Sequence, residues 1–312
     1  MTTTGPAGAA PARPLPGRVL VTGAAGRIGG AVSRLLHAEG VAVTALDVVP
    51  APSCAADRVV VGSACDVDVV ADGLEGADAV VHLAAMPHRD SGRPYDVYRT
   101  NVSATFNVLS QAGELGVARA VIASSINALG IPMNHHEVMP AYFPLDECSP
   151  ADVDDWYSLS KQADEATAQM VHRHWGTDVL ALRFPLVDTP EVLRAKADRL
   201  AADPAAGARE GWSYLDLRDA AAAVLAGLVA PWSGAHVLML SAADTLVARP
   251  TAELLREHAP GVPVRGDVPG RCPLVDAGRA RELLGFRPRH SVHAAPPSVV
   301  GPRRPAVGRP AR

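Results

Sequence analysis

A glycine-spaced turn between a β-branched run and a helical pattern is the feature that most constrains this fold. Residues 19–29 read Val-Leu-Val-Thr-Gly-Ala-Ala-Gly-Arg-Ile-Gly, which places Gly23, Gly26 and Gly29 at intervals of three. Glycine allows the backbone angles of a tight turn and the close approach of phosphate groups, and the following helix N-terminus supplies free N–H groups. Ala24 stands where the general GxGxxG fingerprint has a glycine. The segment therefore predicts a βαβ unit whose turn binds the pyrophosphate of a dinucleotide.

An aspartate ends the second β-branched run. Asp47 directly follows residues 41–46. A carboxylate at this place accepts hydrogen bonds from both hydroxyls of an adenosine ribose and repels a 2′-phosphate. The sequence therefore favours NAD over NADP as the cofactor.

Strand-like runs alternate with longer helical patterns from Gly17 onward, as is typical of βαβ units around a parallel sheet. The predicted strands cover residues 18–21, 41–46, 58–61, 79–83, 118–123 and 179–184. Long helices are predicted over about 95–115 and 153–175. The predicted fold class is α/β: a doubly wound parallel sheet (Rossmann fold) with a small C-terminal substrate-binding lobe.

The pattern divides the chain into four segments. They are a disordered N-terminal tail (1–16), a NAD-binding Rossmann domain (17–185), a substrate-binding lobe with a returning helix and strand (186–290), and a disordered Pro/Arg-rich tail (291–312). Beyond the sixth strand the pattern predicts a helix at 216–229, a strand at 236–240 and short helices near 251 and 277.

The bulk composition disfavours several classes of protein. The formal net charge is −4, whereas nucleic-acid-binding proteins usually carry an excess of basic residues. The first residues do not resemble a signal peptide, and no segment reaches the roughly 20 apolar residues of a membrane helix. Four scattered cysteines without a CxxC pair argue against a disulfide framework and a zinc site. We expect a cytoplasmic protein with a small-molecule substrate and no metal, nucleic-acid or membrane partner.

Tyr157 and Lys161 stand four residues apart on a predicted helix, so both side chains project from one face. A nearby ammonium favours the phenolate form of a tyrosine, which is otherwise a poor base at neutral pH. Lysine is rare in this chain: besides Lys161 there is only Lys196. The pair therefore predicts a proton-transfer centre next to the dinucleotide.

With these motifs the chain resembles an extended short-chain dehydrogenase/reductase of the NAD-dependent epimerase/dehydratase family, over about residues 17–291. The resemblance is carried by Thr22 to Gly29, Asp47, Asp66, His82 to Ala85, Asn101 and Val102, Ser124 and Ser125, Tyr157 to Lys161, Leu182 to Phe184, and Ala280 to Pro288.

The resemblance implies roles for individual residues. Tyr157, Lys161 and Ser125 would be catalytic, with Ser125 hydrogen-bonded to the reacting oxygen and Ser124 satisfying local backbone. Arg183 would either pair with a substrate carboxylate or be structural, and the two long helices would form a homodimer interface. The cofactor would be bound by Gly23, Gly26, Arg27, Ile28, Gly29, Asp47, Asp66 (at the adenine), Leu83, Ala84, Ala85, Asn101 (or Asn101 positions a helix), Tyr157 and Lys161.

Departures from the family pattern narrow the reaction. Sugar-nucleotide 4,6-dehydratases carry Thr-Asp-Glu where this chain has Ser125, Ile126 and Asn127, so dehydration is disfavoured. Epimerases of nucleotide sugars carry an arginine where Trp212 stands, and an asparagine where the chain has Pro185 and Leu186.

These departures leave, as the leading interpretation, hydride transfer between NAD and a secondary alcohol of a sugar, sugar acid or related small molecule. The alternatives are a nucleotide-sugar epimerase that recycles NAD and, in another class, a non-catalytic NAD-binding sensor. A sensor usually loses the tyrosine and lysine pair, which this chain keeps.

Overall fold

The predicted β-branched runs form neighbouring strands of one parallel sheet. The structure is a computed structural model that describes residues 13–50 and 54–294. Its main sheet has seven strands in the order β3-β2-β1-β4-β5-β6-β9, and every pairing is parallel. The order reverses between β1 and β4, which is the arrangement of a doubly wound sheet. The predicted fold class is therefore confirmed.

The helices and strands follow in regular alternation up to β6. The strands are β1 (Arg18–Thr22), β2 (Ala42–Asp47), β3 (Arg58–Val61), β4 (Ala79–His82), β5 (Arg119–Ser125), β6 (Asp178–Phe184), β7 (Leu186–Asp188), β8 (Tyr214–Asp216) and β9 (Ala235–Met239). The helices are α1 (Arg27–Ala38), α2 (Val67–Leu74), α3 (Pro94–Glu114), α4 (Trp156–Trp175), α5 (Pro190–Ala202), α6 (Leu217–Val229), α7 (Thr251–His258) and α8 (Gly278–Leu284). Within the described residues, no helix is long and apolar enough to cross a membrane.

All six predicted strands are present, with boundaries that differ by up to two residues. Helix α4 begins at Trp156 rather than near residue 153. The reason is the Asp155 carboxylate, which accepts the amides of Tyr157 and Ser158, both at 2.9 Å, and so caps the helix. The sequence pattern missed β7, α5 and β8 in the stretch after β6. The two strands are hard to find because each is only three residues long and they pair with each other away from the main sheet.

A separate apolar core defines what we call the lobe. Its buried side chains come from both sides of the predicted boundary at residue 185, and they include Phe143, Leu145, Leu193, Trp212, Tyr214, Leu254 and Leu274. In contrast, α6 and α8 bury their apolar faces against the main sheet, and β9 extends that sheet next to β6. The lobe therefore draws on segments before β6, between β6 and β9, and after β9.

The N-terminal tail predicted to be disordered (1–16) overlaps the described residues from Arg13 onward. The Arg13 guanidinium donates to the Asp178 carboxylate at 3.1 Å, which anchors residues 13–16 beside β6. Residues 1–12 lie outside the described residues.

The C-terminal tail predicted to be disordered (291–312) overlaps the described residues up to 294. Val292 is buried, and its amide donates to the Tyr214 hydroxyl at 2.8 Å, so the chain is held against the lobe. The remainder of that prediction, 295–312, falls outside the described residues.

Candidate active site

A cavity of about 1050 Å³ opens at the carboxyl edge of the main sheet. It lies where β1, β2, β4, β5 and β6 end, which is where doubly wound sheets place their ligands. The predicted site residues that line it are Gly23, Gly26, Arg27, Ile28, Gly29, Asp47, Leu83, Ala84, Ala85, Ser125, Tyr157 and Lys161.

The glycine turn is built by direct contact of backbone on backbone. Gly23 has a φ of 69°, and a Cβ there would lie 2.7 Å from the amide nitrogen of Ala84. A Cβ on Gly29 would lie 2.1 Å from the carbonyl oxygen of Gly23. Side chains are thus excluded from both places, and α1 begins directly against the end of β1. The first-turn N–H groups of this helix have no intrahelical partners, and Arg27, Ile28 and Gly29 face the cavity, so the turn fits a pyrophosphate.

Asp47 is held at the end of β2 by the same turn. Its Oδ2 accepts the amide of Ala25 at 2.9 Å, and its side chain is only partly buried at the cavity wall. A fixed carboxylate in this position fits the ribose hydroxyls of NAD and repels a 2′-phosphate.

Arg27 connects the glycine turn to the lobe side of the cavity. Its guanidinium forms an ion pair with Asp188 at the end of β7. The Asp188 side chain is 4% exposed whereas that of Arg27 is 68% exposed, so the arginine reaches across the cavity mouth toward a buried acid.

Two predicted cofactor residues do not line the cavity. The exposed Asp66 caps α2 instead, since its Oδ1 accepts the amides of Asp68 and Val69 at 3.0 and 3.2 Å. Asn101 is buried: its Oδ1 accepts the amide of Met86 at 2.8 Å, and its Nδ2 donates to Ser160 at 3.0 Å. The structure therefore places Asp66 as a helix cap and Asn101 as a residue that ties α3 to α4 and to the loop after β4.

The tyrosine, lysine and serine converge at one wall of the cavity. Tyr157 lies on the first turn of α4, and Lys161 follows one turn later, with its Nζ 5.9 Å from the centroid of the Tyr157 ring. Ser125 ends β5, and its Oγ accepts the amide and the Nδ2 of Asn127 at 3.1 and 3.2 Å. The Ser125 hydrogen therefore remains free to be donated into the cavity.

Lys161 belongs to a buried polar chain that runs behind the site. Its Nζ lies 3.0 Å from Oδ2 of Asp164. The Thr105 side chain faces the Asp164 carboxyl and hydrogen-bonds Nε2 of His82 at 3.1 Å. Nδ1 of His82 bonds Thr22, directly before the glycine turn, at 2.7 Å. The chain links the lysine to the turn through the interior of the sheet.

Burial and charge set the protonation states in this chain. Burial, helped by the charge of Lys161, lowers the pKa of His82 to about 3, so the imidazole is neutral. Burial alone would lower the pKa of Lys161, but the charges of Asp164 and Tyr157 outweigh it and raise that pKa above its ordinary value. Lys161 is thus held as an ammonium ion beside the phenol.

The structure corrects the possible substrate role of Arg183. Its Nε and Nη2 donate to the two carboxylate oxygens of Glu165 at 2.8 and 2.9 Å, and Ser124 donates to the same carboxylate at 2.6 Å. Arg183 and Glu165 are both buried, and Arg183 does not line the cavity. The bidentate pair joins β6 to α4, so Arg183 is structural. Ser124 bonds a carboxylate rather than the backbone partner expected for it.

Trp212, which stands where nucleotide-sugar epimerases carry an arginine, and the nearby Arg209 do not line the cavity. Trp212 is fully buried in the lobe core, and its Nε1 donates to the carbonyl of Pro204 at 2.7 Å. Arg209 donates to the backbone and side-chain oxygens of Asn134 at 3.0 and 3.1 Å.

Sequence reasoning missed two charged residues that line the cavity from the lobe side, Lys196 on α5 and Glu210 at the end of a 3₁₀ turn. The rarity of lysine in the sequence is the signal that could have led to Lys196. No local pattern marked Glu210, whose pKa is raised by burial against the opposing charges of Lys196 and Arg209. In the part of the chain that the structure describes, no group of three or more His, Cys, Asp or Glu side chains is placed to hold a metal ion.

The doubly wound sheet, the glycine turn with its aspartate and the Tyr157 and Lys161 pair together define an extended short-chain dehydrogenase/reductase. A model of the NAD dependent epimerase/dehydratase family matches residues 19–235. The chain belongs to this family.

Curated relatives include enzymes with different named substrates. An L-arabinose 1-dehydrogenase (NAD(P)(+)) of Haloferax volcanii is 29% identical over 188 residues, covering 58% of this chain and 71% of that protein. A dTDP-glucose 4,6-dehydratase of Streptomyces niveus is 33% identical over 185 residues, covering 53% of this chain and 52% of that protein. A uronate dehydrogenase of Pseudomonas syringae is 27% identical over 170 residues, covering 54% of this chain and 58% of that protein. The chain thus spans little more than half the length of the last two relatives.

Solved structures share the fold over most of the chain. A short-chain dehydrogenase/reductase superfamily protein of Agrobacterium tumefaciens with bound NAD has a TM-score of 0.66 at 24% identity, covering 88% of this chain and 93% of that one. A UDP-glucose 4-epimerase of Thermotoga maritima has a TM-score of 0.66 at 20% identity, covering 88% of this chain and 94% of that one. At these identities the likeness is one of fold.

Replacing Gly29 with alanine should disrupt the turn, because the new Cβ would lie 2.1 Å from a backbone oxygen. We expect Gly29→Ala to weaken NAD binding at least about tenfold, since the backbone must shift where the pyrophosphate approaches. Isothermal titration with NAD measures this. Gly30→Ala is the matched control, since its Cβ would lie 3.4 Å from the end of the Arg34 side chain and 3.6 Å from the carbonyl oxygen of Ala24, without a clash. Equal affinities in the two variants would contradict the prediction.

Replacing Arg183 should affect stability rather than substrate binding. Removing one partner of a buried ion pair typically costs about 3–5 kcal/mol, so Arg183→Met should lower the free energy of unfolding by about that amount in urea titrations. The double variant with Glu165→Gln should lose less than the sum of the two single changes. A raised substrate KM with unchanged stability would restore the substrate role.

Replacing Asp164 should alter the pH dependence of catalysis. The raised pKa of Lys161 keeps its ammonium charged as pH rises, and without the Asp164 charge burial dominates and that pKa falls. In Asp164→Asn we therefore expect the alkaline limb of the kcat profile to move to lower pH by about one unit or more. Asp68→Asn, which removes an exposed carboxylate on α2, is the control. An unmoved alkaline limb would show that Asp164 does not sustain the lysine charge.

Proposed function

We propose that this protein is a NAD-dependent oxidoreductase that oxidises a secondary alcohol of a sugar or a related small molecule. The observation that carries the proposal is that Tyr157, Lys161 and Ser125 face the same cavity as the glycine turn and Asp47. Proton transfer and cofactor binding are thereby brought to one place. The family to which the chain belongs supports this class of reaction.

The residues of the cavity fit two recognisable parts of NAD, the pyrophosphate and the adenosine ribose. The turn from Gly23 to Gly29 would hold the pyrophosphate, and Asp47 would hold the adenosine ribose. Lys161 would reach the other ribose from α4. When bound, NAD supplies the acceptor for a hydride.

The chain's own residues provide the proton chemistry. Tyr157, as a phenolate stabilised by the Lys161 ammonium, takes the hydroxyl proton of the substrate while the C–H bond of the same carbon breaks and a carbonyl forms. Ser125 donates a hydrogen bond to the oxygen on which charge develops. The buried Asp164 keeps Lys161 charged without entering the cavity.

Dehydration and nucleotide-sugar chemistry are less well supported. One relative is a dTDP-glucose 4,6-dehydratase, yet this chain has Ile126 and Asn127 in place of the acid and base needed for elimination of water. Trp212, at the position of the diphosphate-binding arginine, is enclosed in the lobe core. A smaller substrate agrees better with these residues, and the arabinose and uronate dehydrogenases among the relatives act on such compounds by name.

We also propose that the protein forms a homodimer through α3 and α4. The two helices pack side by side. The large apolar side chains exposed here are Phe106 on α3, Leu115 directly after α3, and Leu159 on α4. Burial of such a surface favours association of two copies.

A cytoplasmic location is proposed from the cysteines. Cys54, Cys65, Cys148 and Cys272 all carry free thiols, as is usual in a reducing compartment.

The proposed reaction is tested with the purified protein, NAD and a panel of aldoses, uronic acids, polyols and UDP-sugars, following nicotinamide absorbance and product identity together. A dehydrogenase releases NADH in step with product, whereas an epimerase changes the sugar without net NADH. Binding of NAD with no turnover of any compound would favour a sensor.

Tyr157→Phe should lower turnover by about 10²–10⁴-fold, the usual contribution of a positioned general base, and leave NAD affinity nearly unchanged. Steady-state kinetics and NAD titration measure the two effects. Tyr95→Phe, which alters an exposed tyrosine on α3, is the control. Full activity in Tyr157→Phe would remove this residue from the mechanism.

A further inference from the structure

The lobe contributes two charged side chains to the cavity wall, Lys196 and Glu210. Both are partly buried. Among the described residues neither side chain has a hydrogen bond or an ion pair within 4.0 Å, although the two are near enough for the charge of Lys196 to act on Glu210. Opposite charges that line a cavity without contacting each other leave donors and acceptors available to a ligand.

The other charged groups of the cavity are engaged by the protein itself. Arg27 pairs with Asp188, and Lys161 pairs with Asp164. The Asp47 carboxylate accepts a hydrogen bond from the Ala25 amide, and Nδ1 of His88 lies 3.2 Å from Oδ2 of Asp90. Lys196 and Glu210 are therefore the charged cavity residues for which the described structure provides no such partner.

The chemistry of this pair favours a neutral ligand rich in hydroxyl groups. A carboxylate accepts hydroxyl hydrogens with both of its oxygens, and an ammonium donates three hydrogens to hydroxyl oxygens. An anionic substituent would be attracted by Lys196 but repelled by Glu210, and it would lose water on entering. A neutral sugar satisfies both side chains without adding a charge to the cavity.

We propose that Lys196 and Glu210 form a specificity-determining subsite that selects a neutral, polyhydroxylated sugar over one that carries a carboxylate or a phosphate. The inference rests on the proposed function, since it assigns the substrate class of the same cavity. Lys196 donates to ring or hydroxyl oxygens, and Glu210 accepts from neighbouring hydroxyls. Tyr157, across the cavity in the Rossmann part of the chain, acts on the hydroxyl that is oxidised.

The wild-type enzyme and the variants Glu210→Gln and Lys196→Met test this subsite. Each is assayed with NAD and with L-arabinose, D-galactose, D-glucuronate and D-glucose 6-phosphate as probes. Arg199→Met, which alters an exposed side chain on the same helix as Lys196, is the matched control. Thermal unfolding and NAD titration verify that each variant is folded and binds cofactor.

The wild-type enzyme should have a higher kcat/KM with the neutral aldoses than with either anion. Glu210→Gln should raise the aldose KM about ten- to hundredfold, as expected for the loss of hydrogen bonds to a charged group, with a smaller change in kcat. Glu210→Gln should also reduce the ratio of kcat/KM with the aldoses to kcat/KM with D-glucuronate. Lys196→Met should raise the aldose KM without improving use of either anion, and Arg199→Met should match the wild type.

Three results would overturn the assignment. A wild-type preference for D-glucuronate or D-glucose 6-phosphate would show an anion site, while leaving the proposed oxidoreductase function intact. An aldose KM within twofold of wild type in Glu210→Gln, with a changed melting temperature, would show that the pair only stabilises the lobe. Absence of hydride transfer from every sugar in wild-type protein that binds NAD would overturn the proposed function and this subsite together.

Discussion

The contact of Gly29 with the Gly23 carbonyl is the constraint on which the site depends. Because no Cβ intervenes, α1 starts directly at the end of β1, and its first N–H groups face the cavity. The same turn places the Ala25 amide on Asp47 and brings Gly23 against the backbone of Leu83 and Ala84 at the end of β4. One close backbone approach thus sets the positions of three strand ends that surround the cavity.

Behind the cavity wall, chains of buried polar side chains fix the positions of the elements that carry the catalytic residues. The chain from Thr22 through His82 and Thr105 to Asp164 connects the turn with the helix that carries Lys161. The Glu165 and Arg183 pair fixes the next turn of that helix to β6. Since unpaired charges in such surroundings are costly, each member depends on its neighbours, and the helix cannot shift without breaking several bonds.

Local patterns were sufficient to predict most of the sheet and the core of the site. Some site residues can be recognised from their near neighbours in the sequence, so a single sequence is enough to find them. They are the turn glycines, Asp47, and Tyr157 with Lys161. The partners of Asp66, Asn101 and Arg183 could not be found this way. A carboxylate capping its own helix and one binding adenine look alike in sequence, and the Arg183 partner lies on another element. Glu210 lines the cavity through the fold of the lobe, which no local pattern in the sequence marks.

The placement of β9 carries a consequence for the integrity of the chain. The polypeptide leaves the sheet after β6, builds much of the lobe, and then returns to pair with β6 along five positions. A protein shortened before residue 235 would leave β6, whose residues are all buried, as an open hydrogen-bonding edge. Such an edge is a template for pairing with other chains. The last strand therefore protects the cofactor domain from aggregation, and the lobe cannot be separated from that domain by a single cut.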